Sequence, residues 1–450
     1  MLDSPPRLAQ AAALPAATPS GLGAFRSRFR RLLLHEVAFS QRPDRVAAGS
    51  ITHNGGVFGF SIVAADGQAR RGIIRTAHGD VETPAFFAVA TRAALKGLDP
   101  AAAARAGVQA LIANAYHLQV HPGPDAIARA GGLHRYMSWP APLATDSGGF
   151  QVFSLRHGQV ADEVKGRRRL PHREDESATA VQVDEDGADF RSYLDGSRHR
   201  FTPERSMQLQ RSLGADIVFA LDECTPYHVP RDYTETATRR NLLWARRCLD
   251  EYERLEMDGT QALYGIVHGG IYPELRRRSA LAISELPFPG LAVGDCLGQG
   301  KADWYAVVEL VCALLPPERP RHLLGVGEPD DLVEGALRGI DTFDCAMPTR
   351  VARHGQALRR DGRRFRLDLE ASARAAEDAP IDEGCDCFTC ARFSRAYLHH
   401  LFKAREALAI PLVAEHNLRF TARLLELVRD AISAGALREL RAEWSGLAAG

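Results

Sequence analysis

The chain has 450 residues, and its 56 basic and 56 acidic side chains cancel, so no global charge excess marks a partner. Hydrophobic residues make up 45%, enough for a sizeable core, yet no apolar run approaches the roughly 20 residues of a membrane-spanning helix. These values exclude a disordered chain and a helical membrane protein, and leave a soluble globular protein, expected in the cytoplasm.

Residues 1–55 read differently from the rest. MLDSPPRLAQAAALPAATPSGLGAF is rich in Ala and Pro, and RSRFRRLLLHEV is basic, with few acids before Glu36. Disorder or loose helix is expected there, and an Arg-rich, acid-poor start also fits an organellar targeting peptide. From about residue 57, short apolar runs alternate with amphipathic helical runs. Strands are expected within 110–116, 215–222, 262–270, 291–295, 322–327 and 339–348, with helices such as PERSMQLQRSLG and PDDLVEGALRGI between them. Short buried strands alternating with helices make parallel βα units, and more than six suggest closure into a barrel over residues 56–370. A charge-dense stretch with turn residues, 156–190, reads as a surface insertion.

In such a barrel the chemistry sits at the carboxyl ends of the strands. Asn114, Asp146, Asp222, His268, Asp295 and Asp344 each stand at or just beyond the end of an apolar run. After Asp344 comes PTRVARHGQALRRDGRRFR, where Arg350, Arg353, Arg359, Arg360, Arg363, Arg364 and Arg366 face the single acid Asp361. A basic stripe in a neutral chain is the footprint of a phosphate track, although arginine runs are also found simply solvated.

The last segment, 371–440, carries Cys385, Cys387 and Cys390 in GCDCFTC, with His416 in AEHN 26 residues after Cys390. Three close thiolates plus one distant imidazole form the ligand set of a closed, tetrahedral, structural zinc site. His399 and His400 are rival ligands, and buried or disulfide-prone cysteines are the plainer reading. The other five cysteines, Cys224, Cys248, Cys296, Cys312 and Cys345, are scattered and fit no disulfide framework, as expected in a reducing compartment.

The strings LATDSGGFQVFSL, LDECTPY, GIVHGG, GLAVGD, GVGEPDDLV and GIDTFDCAMPTRVARHGQA, with the cysteine tail, occur in an order that resembles the tRNA-guanine transglycosylases, the queuine tRNA-ribosyltransferase family. The resemblance covers about 57–435. It implies an irregular (β/α)8 TIM-type barrel with a C-terminal zinc-binding subdomain and one structural zinc per subunit. It further implies exchange of the wobble guanine of tRNA for a 7-deazaguanine, and a homodimer. Double displacement at a ribose needs a nucleophile and a proton shuttle. By resemblance these are Asp344 and Asp146; read alone, a strand-end Asp also caps helices or forms turns.

The resemblance places Asp146, Ser147, Gly148, Gly149, Phe150, Asp222, Cys224, His268, Gly290 and Leu291 around the base. Phe150 would stack on it, Asp222 would read the guanine edge, and Gly290 and Leu291 would offer backbone groups at the 7-substituent. The glycines Gly148 and Gly149 would admit the base closely. RNA contacts are implied for Gly325, Val326, Gly327, Glu328, Pro329, Asp330, Asp331, Thr349, Arg350, Val351, Ala352 and Arg353. His268 stands where relatives usually carry Gln, which adds an expected titration near 6 to 7. Asp295 replaces a common Glu, and its shorter side chain is expected to reach less far. Bulk at Val293, with Cys224, favours 7-aminomethyl-7-deazaguanine over queuine as the entering base. A non-catalytic RNA-binding subunit is the competing class, disfavoured because both carboxylates are present. A plain glycoside hydrolase is a remote third.

Overall fold

A computed structural model describes residues 50–52, 57–149, 182–192, 194–225, 229–295 and 300–445. Nearly all of the expected N-terminal extension and most of the 156–190 insertion lie outside these residues, as does Phe150. Eight parallel strands close into a barrel: β1 Ala85–Val89, β2 Ala110–Asn114, β3 Leu143–Asp146, β4 Ile217–Phe219, β5 Ala262–Val267, β6 Gly290–Val293, β7 Arg321–Leu323 and β8 Thr342–Cys345. Each strand pairs with its chain neighbour, and β8 closes on β1 through Thr342 opposite Ala85 and Cys345 opposite Ala88. Strands such as ALIAN and ALYGIV are buried at every position, as expected when helices cover the outside and side chains fill the inside.

Local chemistry fixes the helices that set these strands. Thr202 caps helix Pro203–Leu213 by accepting from Arg205 N, Pro203 opens it, and Gly214 ends it in the left-handed region at φ 69°. Within that helix, buried Gln210 accepts from Thr145 Oγ1 at 3.0 Å and donates to Phe219 O at 2.8 Å, joining β3 to β4 just below their ends.

The amino end of the barrel is covered by an antiparallel sheet of Ser50–Thr52, Gly59–Asp66, Ala69–Thr76 and Gly79–Thr83. Its Phe60, Ile74 and Val81 join the same apolar cluster as inner residues Phe87, Ile112, Ile217 and Tyr264. Arg70 anchors this sheet to buried Asp341, donating from Nε at 3.1 Å, and Asp341 also accepts from Arg321 N at 2.7 Å. Such a buried charge pair is tolerable only because its remaining groups are bonded too, here to the Pro317 and Arg319 carbonyls. With this end plugged, the open end is the carboxyl one.

After β8 the chain forms a hairpin, Gln356–Arg363 with Arg366–Asp368, and then short helices leading to the long helix Ala409–Ala434. That helix serves two masters: Leu412 and Val413 fill a core with Leu369, Ile381, Leu398 and Leu401, while Arg429 donates to Pro84 O at 2.8 Å beside β1.

Candidate active site

All six polar residues expected at the strand ends do stand at the carboxyl mouth. Asp146 ends β3, and its carboxylate accepts from Asn114 Nδ2 at 2.6 Å, Ala115 N at 3.2 Å and Gly148 N at 3.1 Å. Burial pushes its pKa up to about 7; the nearby Asp344 pushes the same way, while the three hydrogen bonds oppose. Across the mouth, Asp344 in β8 accepts at Oδ1 from Gly325 N at 3.0 Å and lies 3.1 Å from His322 Nε2. A carboxyl group titrating near neutrality beside a second carboxylate suits a proton shuttle paired with a nucleophile.

Asp222, beyond β4, accepts from Ser147 Oγ at 2.8 Å. His268, directly after β5, is fully buried, with Nε2 3.4 Å from Asp222 Oδ2 and Nδ1 3.1 Å from Asp295 Oδ2. Both contacts are ion-pair distances and neither is an aligned hydrogen bond. Burial alone would lower the imidazole's pKa, but Asp295 and Asp222 outweigh it and hold the ring above the ordinary histidine range. The same imidazolium, with Arg276, holds Asp295 far below the usual carboxylate range despite burial, whereas burial leaves Asp222 raised. Asp295 reaches back because its backbone is left-handed at φ 46°, a conformation Asp tolerates, and it also accepts from Thr225 N at 2.9 Å.

Three expectations change here. A side chain at Gly148 would strike Tyr116, with Cβ 2.9 Å from Cβ, and one at Gly149 would strike Asp222 O at 2.1 Å. Both glycines are therefore demanded by contacts within the protein, which already account for the missing side chains without an approaching base. Gly290 and Leu291 are not brought to the mouth. They begin β6, fully buried, with Leu291 N bonded to Pro320 O, so their backbone lies toward the plugged end. Val293 is likewise buried in the wall, opposite Val267 and Leu323, which removes its bulk as an argument about the entering base. Gly294 and Asp295, just after β6, are the residues beside His268. Cys224 is partly exposed in the loop after Asp222.

The expected RNA segments separate by burial. Gly325 is exposed, and Glu328, Arg350, Val351 and Arg353 are partly exposed; Val326, Gly327, Pro329, Thr349 and Ala352 are buried. Asp330 and Asp331 are also buried, tied to Lys301 Nζ at 2.5 and 2.7 Å, which turns both carboxylates inward. The arginine stripe is partly neutralised: Arg359 pairs with Asp361, Arg360 with Glu443 and Arg366 with Glu328. Sequence reading missed a better cation cluster. The Lys96 ammonium is held below its ordinary pKa by burial and then by Arg353, Arg92 and Arg350. Beside them, burial, Arg92 and Lys96 push His117 down to about 4. Mutually repelling cations near the strand ends form an anion-attracting rim. Lys96 and Arg92 were missed because their loop follows β1, far in sequence from the arginine stripe.

Cys385, Cys387, Cys390 and His416 converge, their ligand atoms all within 4.8 Å of one another, and form a group that could hold a metal ion. His416 Nδ1 lies 3.3 Å from Cys390 Sγ and 3.6 Å from Cys387 Sγ. Its Nε2 donates to Leu358 O at 2.8 Å, which leaves the Nδ1 lone pair free for a metal. His399 points elsewhere, its Nδ1 2.8 Å from Leu369 O. A second group, His78, His134 and Asp216, sits at the plugged end. Its two rings stack 3.5 Å apart and 15° from parallel, so their in-plane lone pairs cannot converge on one ion. They instead contact Asp216, which accepts from Leu143 N at 2.9 Å and locks the start of β3 to β4.

With this geometry in hand, comparisons with known proteins agree in one direction. The profile of the family described as Queuine tRNA-ribosyltransferase matches residues 66–447. The queuine tRNA-ribosyltransferase of Roseiflexus sp. (strain RS-1) is 48% identical over 399 residues, 86% of this chain and 99% of that protein. Those of Herpetosiphon aurantiacus and Pelotomaculum thermopropionicum are 44% and 45% identical, covering 86% and 83% of this chain and 92% and 93% of their own.

Proposed function

The chain belongs to the queuine tRNA-ribosyltransferase family, the tRNA-guanine transglycosylases, and on that premise we propose that it exchanges the wobble guanine of tRNA for a 7-deazaguanine in queuosine biosynthesis. Asp344 attacks the ribose anomeric carbon as the glycosidic bond breaks, and Asp146 in its acid form protonates the departing guanine. The Asp146 carboxylate then takes the N9 proton of the entering base, whose nitrogen displaces Asp344. Two inversions restore the configuration of the ribose. The observation carrying this reading is half-buried Asp146, which feels the Asp344 charge across the mouth and has its pKa at about 7, so that both protonation states are accessible in one cycle.

Asp222, steadied by Ser147, is the acceptor for the ring N–H and amine of the guanine edge, and Phe150 the stacking ring. For the entering base we favour 7-aminomethyl-7-deazaguanine. Two carboxylates around one imidazolium leave net negative charge near the mouth, which suits an ammonium better than a neutral diol. Exposed Gly325 together with Arg350, Arg353, Arg92 and Lys96 supports a tRNA phosphate path.

The Cys385, Cys387, Cys390 and His416 group fits one structural zinc, which would clamp the 385–390 stretch to helix Ala409–Ala434 through His416. Stacked Phe393 and Tyr397, 5.3 Å apart, with half-exposed Phe388, support a homodimer at this face. Buried Leu401 belongs to the subdomain core. No helix among the described residues is long and apolar enough to cross a membrane, and a cytoplasmic enzyme is proposed.

The test is direct. Wild type mixed with tRNA should give a denaturant-resistant protein–RNA band, absent in Asp344→Ala; the same band in that variant would refute the nucleophile.

A further inference from the structure

The nucleophile has a neighbour that no motif announces. His322 is a strand residue of β7, fully buried, with its ring packed between Phe87 and Phe219 at centroid distances of 5.6 and 5.1 Å. An apolar residue would fill that space more cheaply, since a buried imidazole must find partners for both nitrogens. It does find them. Nδ1 lies 2.9 Å from Thr342 Oγ1, and Nε2 lies 3.1 Å from Asp344 Oδ1. Thr342 and Asp344 point the same way because they are two residues apart in β8.

We propose that His322 is a positioning residue for Asp344, with Thr342 setting its tautomer. The Thr342 hydroxyl donates to Nδ1, the ring proton therefore sits on Nε2, and Nε2–H donates to Oδ1. Gly325 N–H donates to the same oxygen at 3.0 Å. Two donors on Oδ1 leave Oδ2 as the oxygen presented to the anomeric carbon. They also stabilise the carboxylate charge that returns when the entering base displaces it, so the device serves both half-reactions.

The proposal rests on Asp344 being the nucleophile. The experiment measures single-turnover adduct formation with unmodified tRNA, alongside tRNA affinity and melting temperature, for His322→Phe, His322→Gln, Thr342→Val, Thr342→Ser and Asp344→Ala. A hydrogen bond to a charged group corresponds to about 10- to 100-fold in rate. His322→Phe should slow adduct formation by that factor with tRNA affinity unchanged. His322→Gln, which keeps an amide N–H, should recover most of it. Thr342→Val, nearly isosteric, should slow the step because Nδ1 loses its donor and the ring can turn a lone pair toward Asp344, and Thr342→Ser should restore it. Should His322→Phe fail to fold, the Thr342 pair decides alone. Wild-type adduct rates in His322→Phe or Thr342→Val, or equal losses in His322→Phe and His322→Gln, would overturn the proposal. An adduct surviving in Asp344→Ala would instead refute the nucleophile itself.

Discussion

His268 and Asp295 form a fully buried pair, Nδ1 to Oδ2 at 3.1 Å, with the Asp222 carboxylate on the other side of the ring. The imidazole thus backs the proposed base-reading carboxylate, and a Gln in its place would carry no charge there.

A pH signature follows from the raised imidazole. A group whose pKa rises on folding stabilises the protein fully below its unfolded value, about 6.5, and loses that contribution as pH climbs through the folded value. Asp295, held low, contributes above about 3.9 and loses its part only in strong acid. Wild type should therefore exceed His268→Gln in melting temperature most clearly near pH 5 to 6, and the gap should shrink on the alkaline side. The titration expected from sequence near 6 to 7 is moved upward by the two carboxylates. Parallel melting curves from pH 5 to 9 would mean the ring stays neutral.

Asp146 gives the opposite kind of test. With its pKa at about 7, the folded protein holds a proton that the unfolded chain releases near 3.9, so stability from this group falls as pH rises between those values. Asp146→Asn should gain melting temperature relative to wild type from pH 5 to 8 while losing about 100-fold or more in base exchange. Asn114→Ala, which removes a donor to the carboxylate, should push the activity titration above 7. An unchanged pH–rate profile in Asn114→Ala would detach Asp146 from that titration.

How much of this was legible in the sequence depends on which way a side chain faces. Six of the eight strands were read because ALIAN, ALYGIV and their like are uninterrupted apolar runs. β1, AFFAV, was missed behind Pro84, and LATD is too short at four residues to show any period. The carboxylates Asp146, Asp222 and Asp344 were visible as polar residues ending apolar runs. His322, Thr342 and Lys96 were not, because their meeting with the site depends on barrel closure, which brings distant strands and loops together. Gly290 and Leu291 misled for the converse reason: GLAV matched a motif by spelling, while its pairing makes it barrel wall.

Metal binding is checked by content and stability together. Purified protein should carry about one zinc per chain. Cys387→Ala or His416→Ala should lose it and melt lower, because Leu412, Val413 and Leu398 share the core that the ligands pin. Retained zinc in His416→Ala would require another fourth ligand.

The cation rim makes the last prediction, and ionic strength is the lever that isolates it. Lys96, Arg92, Arg350 and Arg353 crowd one another closely enough to depress the lysine, a cost that an arriving phosphate would relieve. Each phosphate contact releases counterions, so losing one cation should weaken tRNA binding at all sequences alike and flatten the salt dependence. Lys96→Ala and Arg353→Ala should each lower tRNA affinity and reduce the slope of log affinity against log salt by about one. Arg360→Ala is the control, because that guanidinium is already paired with Glu443. Binding measured from 50 to 200 mM salt should separate the two classes, and an Arg360→Ala slope change equal to that of Lys96→Ala would move the phosphate path off the rim and onto the hairpin stripe.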